Sequence, residues 1–258
     1  VNVGGADANA VYGVFNGNEP GSQFPAVTNL NVRNNVIRNL NGYGVFGYNP
    51  YRTTPCHGNV IARNLFRNMS GEFSAGQARI GVLFLNDFAG DVADNVFTNV
   101  RIGVQTQGLT KDAPPMSIAR NLIHAERMGV WVHMNSANAP DYGVSNNVIV
   151  TDAEVSESAG IFVSYISDDA VVRMVDNEVS ASLYGVRLYN IPTSSTVTLE
   201  GGTLSGNQYG LFIHNYVSWS SWGAAQDSKV ILSGVSIEDS VVAGVRVTDD
   251  PVNGTQPA

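Results

Sequence analysis

Residues that could transfer protons or bind anions recur at matching points of a phrase that the chain repeats. His133, Tyr189 and His214 each lie four residues after the glycine of an apolar-Gly-apolar triplet, and Arg187 lies two residues after Gly185. A lyase acting on a uronate polymer has to neutralise a carboxylate, remove the neighbouring proton and protonate the leaving oxygen. Arg187, Tyr189 and His214 are therefore candidate catalytic residues. Each histidine could instead make only a surface hydrogen bond.

Paired carboxylates would indicate a different chemistry. A glycosidase uses two, about 5 Å apart for retention of configuration or about 6.5 to 9.5 Å apart for inversion. The acidic doublets are Asp168-Asp169 and Asp249-Asp250, and Asp87 and Asp141 are single candidates. Adjacent acids in a turn also serve as turn formers. The doublet Asp168-Asp169 is a further candidate for catalysis, and a role in forming a turn is the alternative.

Aromatic residues are the candidates for binding a substrate. Their rings offer large, flat apolar surfaces, which suit the faces of sugar rings, and a histidine adds hydrogen bonds. Three of the candidates, Trp131, Phe162 and Phe212, lie two positions after a repeated glycine, and the aromatic loop 215–228 follows the eighth glycine. We expect the binding surface to contain Trp131, His133, Phe162, Phe212, Trp219 and Trp222.

Two repeated phrases reveal the elements that position these residues. An apolar-Gly-apolar triplet occurs nine times at intervals of 22 to 37 residues, with its glycine at 13, 44, 81, 103, 129, 160, 185, 210 and 244. Upstream of six of these glycines is an Asn followed by two mostly apolar residues, at Asn35, Asn64, Asn95, Asn121, Asn147 and Asn177. Gly202 takes that place in the next unit. A fixed unit of this length indicates a solenoid.

The runs between these phrases are short, alternate apolar with polar residues and are rich in Val and Ile, which predicts strands. Because Asn is exchanged for Gly at 202, we expect this position to need left-handed backbone dihedrals. Stacked Asn side chains can also bond to one another along the coil.

The strand after each repeated glycine presents two predicted outward rows, because alternate residues of a strand point to opposite faces. The first row is Phe46, Leu83, Gln105, Trp131, Phe162, Arg187, Phe212 and Arg246. The second is Tyr48, Leu85, Gln107, His133, Ser164, Tyr189, His214 and Thr248. Such a surface favours an interaction site. Long loops could instead cover the rings, an oligomer interface could bury them, or the register could be shifted by one residue.

With these phrases the sequence resembles the right-handed parallel β-helix of the pectate-lyase-like superfamily, over roughly residues 27 to 248. The resemblance implies an all-β fold, a single right-handed parallel β-helix solenoid of about 8–9 coils. It implies no single function, since the superfamily includes polysaccharide lyases, glycoside hydrolases, epimerases, phage tailspikes and adhesins. The Gly-His-Gly and Arg-Ile-Lys segments of polygalacturonase-like enzymes and the Asp-Pro-His of alginate epimerases are absent. No catalytic residue is therefore carried over from a member family.

Composition limits the partners. The net charge is −8 and Lys111 and Lys229 are the only lysines, which argues against a nucleic-acid or anionic-membrane partner. No apolar run is long enough to span a membrane. A single cysteine, Cys56, excludes an internal disulfide, and no Cys/His cluster indicates a metal site. We expect no required cofactor, with Ca²⁺ possible because Asp and Asn oxygens are plentiful.

The chain divides into three predicted regions. Residues 1–28 look like an incomplete first coil or cap, residues 29–248 form the β-helix, and residues 249–258 resemble a linker. Two functions fit. One is a secreted or cell-surface module that binds or cleaves an extended polysaccharide along the Gly-Val strands. The other is a noncatalytic structural or adhesin segment of a larger surface or phage protein.

Overall fold

A computed structural model describes residues 2–3, 12–17, 28–49, 56–69, 79–110, 116–133, 143–166, 169–191, 194–214 and 228–248. All regular elements in these ranges are β-strands. In chain order they are β1 (Asn2–Val3), β2 (Tyr12–Asn16), β3 (Asn31–Arg33), β4 (Val36–Arg38), β5 (Tyr43–Tyr48), β6 (Cys56–Ala62), β7 (Leu65–Arg67), β8 (Ile80–Leu85), β9 (Phe88–Ala93), β10 (Val96–Gln107), β11 (Ser117–Ala119), β12 (Leu122–His133), β13 (Gly143–Ser145), β14 (Val148–Val150), β15 (Ala159–Ser164), β16 (Val171–Val175), β17 (Glu178–Ser180), β18 (Tyr184–Tyr189), β19 (Thr196–Glu200), β20 (Thr203–Ser205), β21 (Tyr209–His214), β22 (Lys229–Ser233), β23 (Ser236–Glu238) and β24 (Ala243–Thr248).

The strands form three parallel ladders that run along one solenoid. One of them, called the third ladder here, is a separate eight-stranded sheet, β3-β6-β9-β11-β13-β16-β19-β22. The first ladder is β1-β4-β7-β10-β12-β14-β17-β20-β23. The Gly-Val ladder is β2-β5-β8-β10-β12-β15-β18-β21-β24, and the long strands β10 and β12 belong to both. The predicted all-β class and parallel β-helix are thereby confirmed.

Apolar side chains from all three ladders fill the interior of the solenoid. The core is a continuous column of Val, Ile, Leu, Phe and Met residues, which includes the fully buried Phe66 and Phe97 with ring centroids 4.7 Å apart. Burying one such side chain contributes about 1.5 to 3 kcal/mol. Within the described ranges there is no helix that could cross a membrane.

The repeated asparagines form the buried ladder that the sequence predicts. Asn95 donates from Nδ2 to Asn121 Oδ1 at 3.0 Å and to the carbonyl of Ile61 at 2.8 Å, while Asn121 Oδ1 also accepts the backbone N–H of Asn95 at 3.0 Å. The same pattern links Asn64, Asn121, Asn147 and their neighbours. Each side-chain amide therefore forms hydrogen bonds with the buried backbone groups at its coil corner, which water does not reach.

The prediction that these asparagines adopt left-handed dihedrals is wrong by one residue. The positive φ angles belong to the preceding positions, for example 58° at Asp94, 53° at Arg120 and 54° at Asn146. Gly202, with φ of 76°, ends the ladder of asparagines because it has no side-chain amide. A Cβ at this position would collide with the Asn177 carbonyl. The sharp turn thus precedes the hydrogen-bonding residue at each corner.

The repeated glycines are required for close packing, not for a left-handed backbone. A Cβ on Gly129 would lie 2.6 Å from the carbonyl oxygen of Gly160, and still closer to the core side chain of Ile149. Glycine and the residue after it therefore both face the interior. The residue before the glycine, such as Met128, consequently packs outside with Phe162, in a cluster separate from the core. The glycine interrupts the strict alternation on which the predicted rows rested.

Alanine at Gly129 should destabilise the protein by about 1 to 3 kcal/mol, the usual cost of overpacking a core. Gly143 is a matched control on the third ladder, because a Cβ there would meet only the Arg173 carbonyl at 3.9 Å. Gly143→Ala should leave the midpoint of thermal unfolding unchanged or raise it slightly. Equal effects of the two variants would contradict this explanation.

Candidate functional site

Both predicted outward rows lie on the Gly-Val ladder in the predicted order. In the first row, Trp131 pairs with Phe162, Phe162 with Arg187 and Arg187 with Phe212. The second row pairs His133, Ser164, Tyr189 and His214 in the same way. A third row, formed by the residues before the glycines, was not predicted, and it adds Tyr12, Tyr43, Ile80, Ile102, Met128, Ala159, Tyr184, Tyr209 and Ala243.

Aromatic residues on strands β12 to β21 form one continuous surface, which we call the central ring cluster. It consists of Trp131, Phe162, Tyr184, Tyr189, Tyr209 and Phe212, with Tyr165 and the imidazoles of His133 and His214 at its edge. Trp131 and Phe162 stack at 5.8 Å and 19°, and Tyr184 stacks on Tyr209 at 5.5 Å and 23°. The other ring pairs are tilted or edge-on, at 34° for Tyr184 and Phe212 and 56° for Tyr209 and Phe212, so the rings form a continuous aromatic array along four successive strands.

Arg187 lies in the middle of this cluster. Its guanidinium carbon is 5.0 Å from the ring centre of Phe162, 4.9 Å from that of Tyr184 and 5.6 Å from that of Tyr189. Nη1 lies 3.9 Å from a Glu157 carboxylate oxygen, and the buried Nε has no hydrogen-bond partner. Guanidinium groups keep their charge in proteins, so Arg187 presents a fixed positive charge within an apolar surface and is suited to holding an anion.

Two of the predicted binding rings are less accessible than expected. Phe162 and Phe212 are each only 8% exposed, whereas Trp131 is partly exposed. Arg187 covers Phe162, while Tyr184 and Arg246 approach Phe212 at 4.8 Å and 5.8 Å. The unpredicted third row supplies part of this cover. Phe162 and Phe212 thus support the surface, and Trp131 and the tyrosines offer the accessible rings.

Ser164 fixes two of the accessible side chains. Ser164 is only 1% exposed, and its hydroxyl accepts a hydrogen bond from Trp131 Nε1 at 2.9 Å and lies 2.9 Å from His133 Nδ1. Burial lowers the pKa of His133 to about 4, because the charged imidazolium would lose its hydration. His133 is therefore neutral at pH 7 and can exchange hydrogen bonds with a ligand but cannot neutralise a carboxylate.

The edge of the cluster is a row of polar rings at the ends of the Gly-Val strands. His133 and Tyr165 meet edge to face at 5.8 Å, Tyr165 and Tyr189 at 5.2 Å, and Tyr189 and His214 at 5.3 Å. Tyr165 follows β15 with a φ of 52°. Sequence patterns gave no signal for Tyr165, because it lies in the turn after the strand. Tyr189, His214 and Arg187 are brought together, while His133 is three strands from His214, roughly 14 Å at the usual spacing.

The remaining predicted residues contribute less to this site. Asp169 is exposed in a turn with φ of 60°, which fits a turn former. Asp87 is 1% exposed and accepts the backbone N–H of Thr110. Asp168, Trp219, Trp222, Asp141 and the tail 249–258 lie outside the described residues, so a catalytic role for the Asp168-Asp169 doublet stays a prediction.

Comparison with known proteins places the fold in context. A family model described as periplasmic copper-binding protein (NosD) matches residues 71–220, more than half of the chain. The chain belongs to the NosD family. This NosD-family chain also resembles the A-module of the mannuronan C-5 epimerase AlgE4 from Azotobacter vinelandii, with TM-score 0.51, 18% identity, and coverage of 93% of this chain and 69% of that one. No curated protein has a matching sequence.

A second solved structure is more distant from this NosD-family chain. The periplasmic alginate epimerase AlgG superposes with a TM-score of 0.44 and 14% identity, over 80% of this chain and 43% of that one. At these identities the likeness concerns the fold alone. The site therefore has to be interpreted from its own residues.

The described residues of this NosD-family chain contain no cluster of three or more potential copper ligands of these types: His, Cys, Asp and Glu. Copper binds imidazole and sulfur ligands. Nδ1 of His133 is bonded to Ser164, and Cys56 is buried in the core. No calcium cage of carboxylates is formed in these ranges either, so calcium stays a prediction.

The pKa of His133 can be tested directly. The folded-state value of about 4 lies below the ordinary 6.5, so the folded protein binds fewer protons than the unfolded chain between these values. The contribution to stability is complete above pH 6.5 and is lost as the pH falls towards 4. We expect the imidazole resonance that disappears in His133→Gln to titrate near pH 4 by NMR. A midpoint near 6.5 would contradict the buried geometry.

Proposed function

We propose that this protein binds an extended acidic polysaccharide along the outer face of the Gly-Val ladder, outside the cytoplasm. The observation that carries the proposal is the central ring cluster, with the charge of Arg187 enclosed by three rings. The location is supported by the family description, which is periplasmic. The AlgE4 module, which has the same fold, is described as an epimerase of the polysaccharide mannuronan.

The geometry suits a polymer better than a small molecule. Parallel coils repeat about every 4.8 Å, so each coil adds a further position along the same line. The partly exposed Trp131 offers apolar ring surface to a sugar, and the phenol and imidazole groups at the edge can form hydrogen bonds with sugar hydroxyls. Many modest contacts in a row would then hold an extended chain without a deep pocket.

Local charge favours an acidic polymer, although the chain as a whole carries a net charge of −8. Arg187 lies on the rings, and the exposed Arg246 lies over Tyr209 and donates to its hydroxyl at 3.1 Å. A carboxylate on the polymer would meet these guanidinium groups in a setting where the aromatic faces exclude water and strengthen the attraction. Glu157, shared by Arg127 and Arg187, offsets only part of this charge.

A catalytic version of this function is a second candidate. Arg187, Tyr189 and His214 lie on the adjacent strands β18 and β21, with the Tyr189 and His214 rings 5.3 Å apart. In a lyase reaction, Arg187 would hold the uronate carboxylate, and one of the two rings would remove the adjacent proton. The electron pair then forms the double bond as the glycosidic C–O bond breaks, and the leaving oxygen takes a proton from the other ring.

The copper description of the family does not extend to this proposal, because the described ranges supply no matching set of ligands. The noncatalytic structural or adhesin segment remains the alternative. In that case the ring cluster would meet another protein instead of a sugar.

The proposal is tested by titrating the purified protein with mannuronan, polygalacturonate and the neutral polymer xylan by calorimetry. Unsaturated and reducing-end products are assayed in the same samples. We expect saturable binding to at least one acidic polymer and weaker binding to xylan. Unsaturated products would establish a lyase. Binding without any products would establish a binding module. No binding to any of the polymers would favour the structural alternative.

A further inference from the structure

A second group of aromatic residues lies at the opposite end of the same face. Tyr12 and Phe15 on β2, with Tyr43, Phe46 and Tyr48 on β5, form what we call the N-terminal shelf. Tyr12 stacks on Tyr43 at 5.6 Å and 12° and on Phe46 at 5.6 Å and 14°, and Phe46 stacks on Tyr48 at 6.1 Å and 13°. The four rings are therefore nearly parallel and stack on one another across two coils, with Phe15 tilted against them at 37° and 43°.

Two rings of the N-terminal shelf are more exposed than the two phenylalanines at the centre of the face. Tyr12 and Phe15 are each 43% exposed, against 8% for Phe162 and Phe212. The core at this end is filled by inward residues such as Val45, which is fully buried. The exposed rings are thus not needed to fill the interior, and their exposure suits a binding surface.

The chemistry of the N-terminal shelf differs from that of the central ring cluster. Strands β2 and β5 carry no charged side chain. Their polar groups at the shelf are the hydroxyls of Tyr12, Tyr43 and Tyr48. Burial and the neighbouring Tyr12 raise the pKa of Tyr43, so its hydroxyl stays protonated and able to donate. Such a surface suits the uncharged face of a sugar ring.

The two aromatic surfaces are aligned on the same rows. Phe46 pairs with Leu83, Leu83 with Gln105 and Gln105 with Trp131, and the second row runs in parallel from Tyr48 to His133. From β5 to β12 there are three strand steps, roughly 14 Å, and from β5 to β21 six steps, roughly 29 Å. The intervening coils carry Leu and Gln instead of rings.

We propose that the N-terminal shelf is a second sugar-binding site, so that one extended polysaccharide contacts both aromatic surfaces and binding strengthens when the ligand is long enough to reach both. The inference rests on the proposed function and adds a length requirement to it. Continuity of the rows argues for a single linear ligand in preference to a second copy of the chain. Once one end is bound, the other binds at a high effective concentration.

The test uses size-fractionated oligosaccharides of mannuronan and polygalacturonate, from oligomers that cover one surface to oligomers longer than the roughly 29 Å span. Wild type should bind the long oligomers at least about fivefold more tightly than the short ones, a gain within the range expected for ring contacts. The variant Tyr12→Ala/Phe15→Ala should lose this gain and keep the affinity for short oligomers. The control Leu122→Ala/Val148→Ala removes side chains of similar exposure, 40% each, from the first ladder.

Three outcomes would overturn the inference without touching the proposed function. The length gain could persist in the Tyr12→Ala/Phe15→Ala variant, wild type could show no gain with length, or the variant could only dissociate a dimer in sedimentation without changing the titrations. In each case the variant Trp131→Ala would still weaken binding. If wild type bound no oligosaccharide of any length, the proposed function would fail as well.

Discussion

Replacing Asn121 with Ala should lower the free energy of unfolding by about 3 kcal/mol or more. The Asn121 side chain accepts from the backbone N–H and from Nδ2 of Asn95, and it donates to the carbonyl of Val92 and to Asn147 Oδ1, all at 2.9 to 3.0 Å. Alanine leaves these buried groups without that partner, and each unsatisfied group costs about 1 to 3 kcal/mol. Against a total stability of about 5 to 15 kcal/mol, this is a large loss.

Denaturant unfolding followed by far-ultraviolet circular dichroism measures this effect. Asn146→Gly is a suitable control, because Asn146 is exposed and has a φ of 54° that glycine adopts easily. We expect the control to change stability by less than about 0.5 kcal/mol. A small loss of stability in Asn121→Ala would contradict this account. It would mean that water or a shifted backbone provides hydrogen bonds for the buried groups at the coil corner.

Replacing Trp131 with Ala should weaken binding of the acidic polysaccharide more than tenfold and lower the unfolding midpoint only modestly, because Ser164 keeps its contact with His133 when the hydrogen bond from Trp131 is lost. Trp131 is partly exposed and stacks on Phe162 at 19°, so part of its ring is available to a sugar. An aromatic contact contributes about 0.5 to 1.5 kcal/mol beyond its buried area, and tenfold corresponds to about 1.4 kcal/mol. Calorimetric titration and thermal unfolding measure the two quantities.

Phe212→Ala is the matched comparison on the same row. Because Phe212 is only 8% exposed, its loss should lower the unfolding temperature by several degrees and affect binding only through the surface it supports. Loss of stability in Trp131→Ala with binding intact would place that indole in a structural role and remove the basis for the binding face.

The sequence was sufficient to predict the coil and the order of its outward rows. Uniform Val, Leu or Ile after each repeated glycine identified the inward side, and the observed pairing of Trp131 with Phe162 follows from it. Strict alternation could not predict that Tyr184 and Tyr209 also face outward. That reversal depends on the packing of the glycine against the neighbouring coil, which is a tertiary contact.

Other features of the site had no local signal. Ser164 matters because it contacts Trp131 and His133 on the neighbouring strand. Tyr165 reaches the edge of the cluster because of its position in a turn. The asparagine phrase indicated a corner, but the left-handed residue is the one before it, where Asn, Asp, Arg and Gly all occur. Such variable residues form no visible sequence pattern.

The central claim, that the outer face of the Gly-Val ladder binds the polymer, is tested most directly by photoaffinity labelling. The probe is a diazirine-bearing oligosaccharide of the polysaccharide bound best by the protein, and the cross-linked peptides are identified by mass spectrometry. We expect labels on residues 128–133, 159–166, 184–191 and 209–214, and their loss when unlabelled polymer is added. Labels concentrated on residues 171–180, which span strands of the first and third ladders, would contradict this assignment.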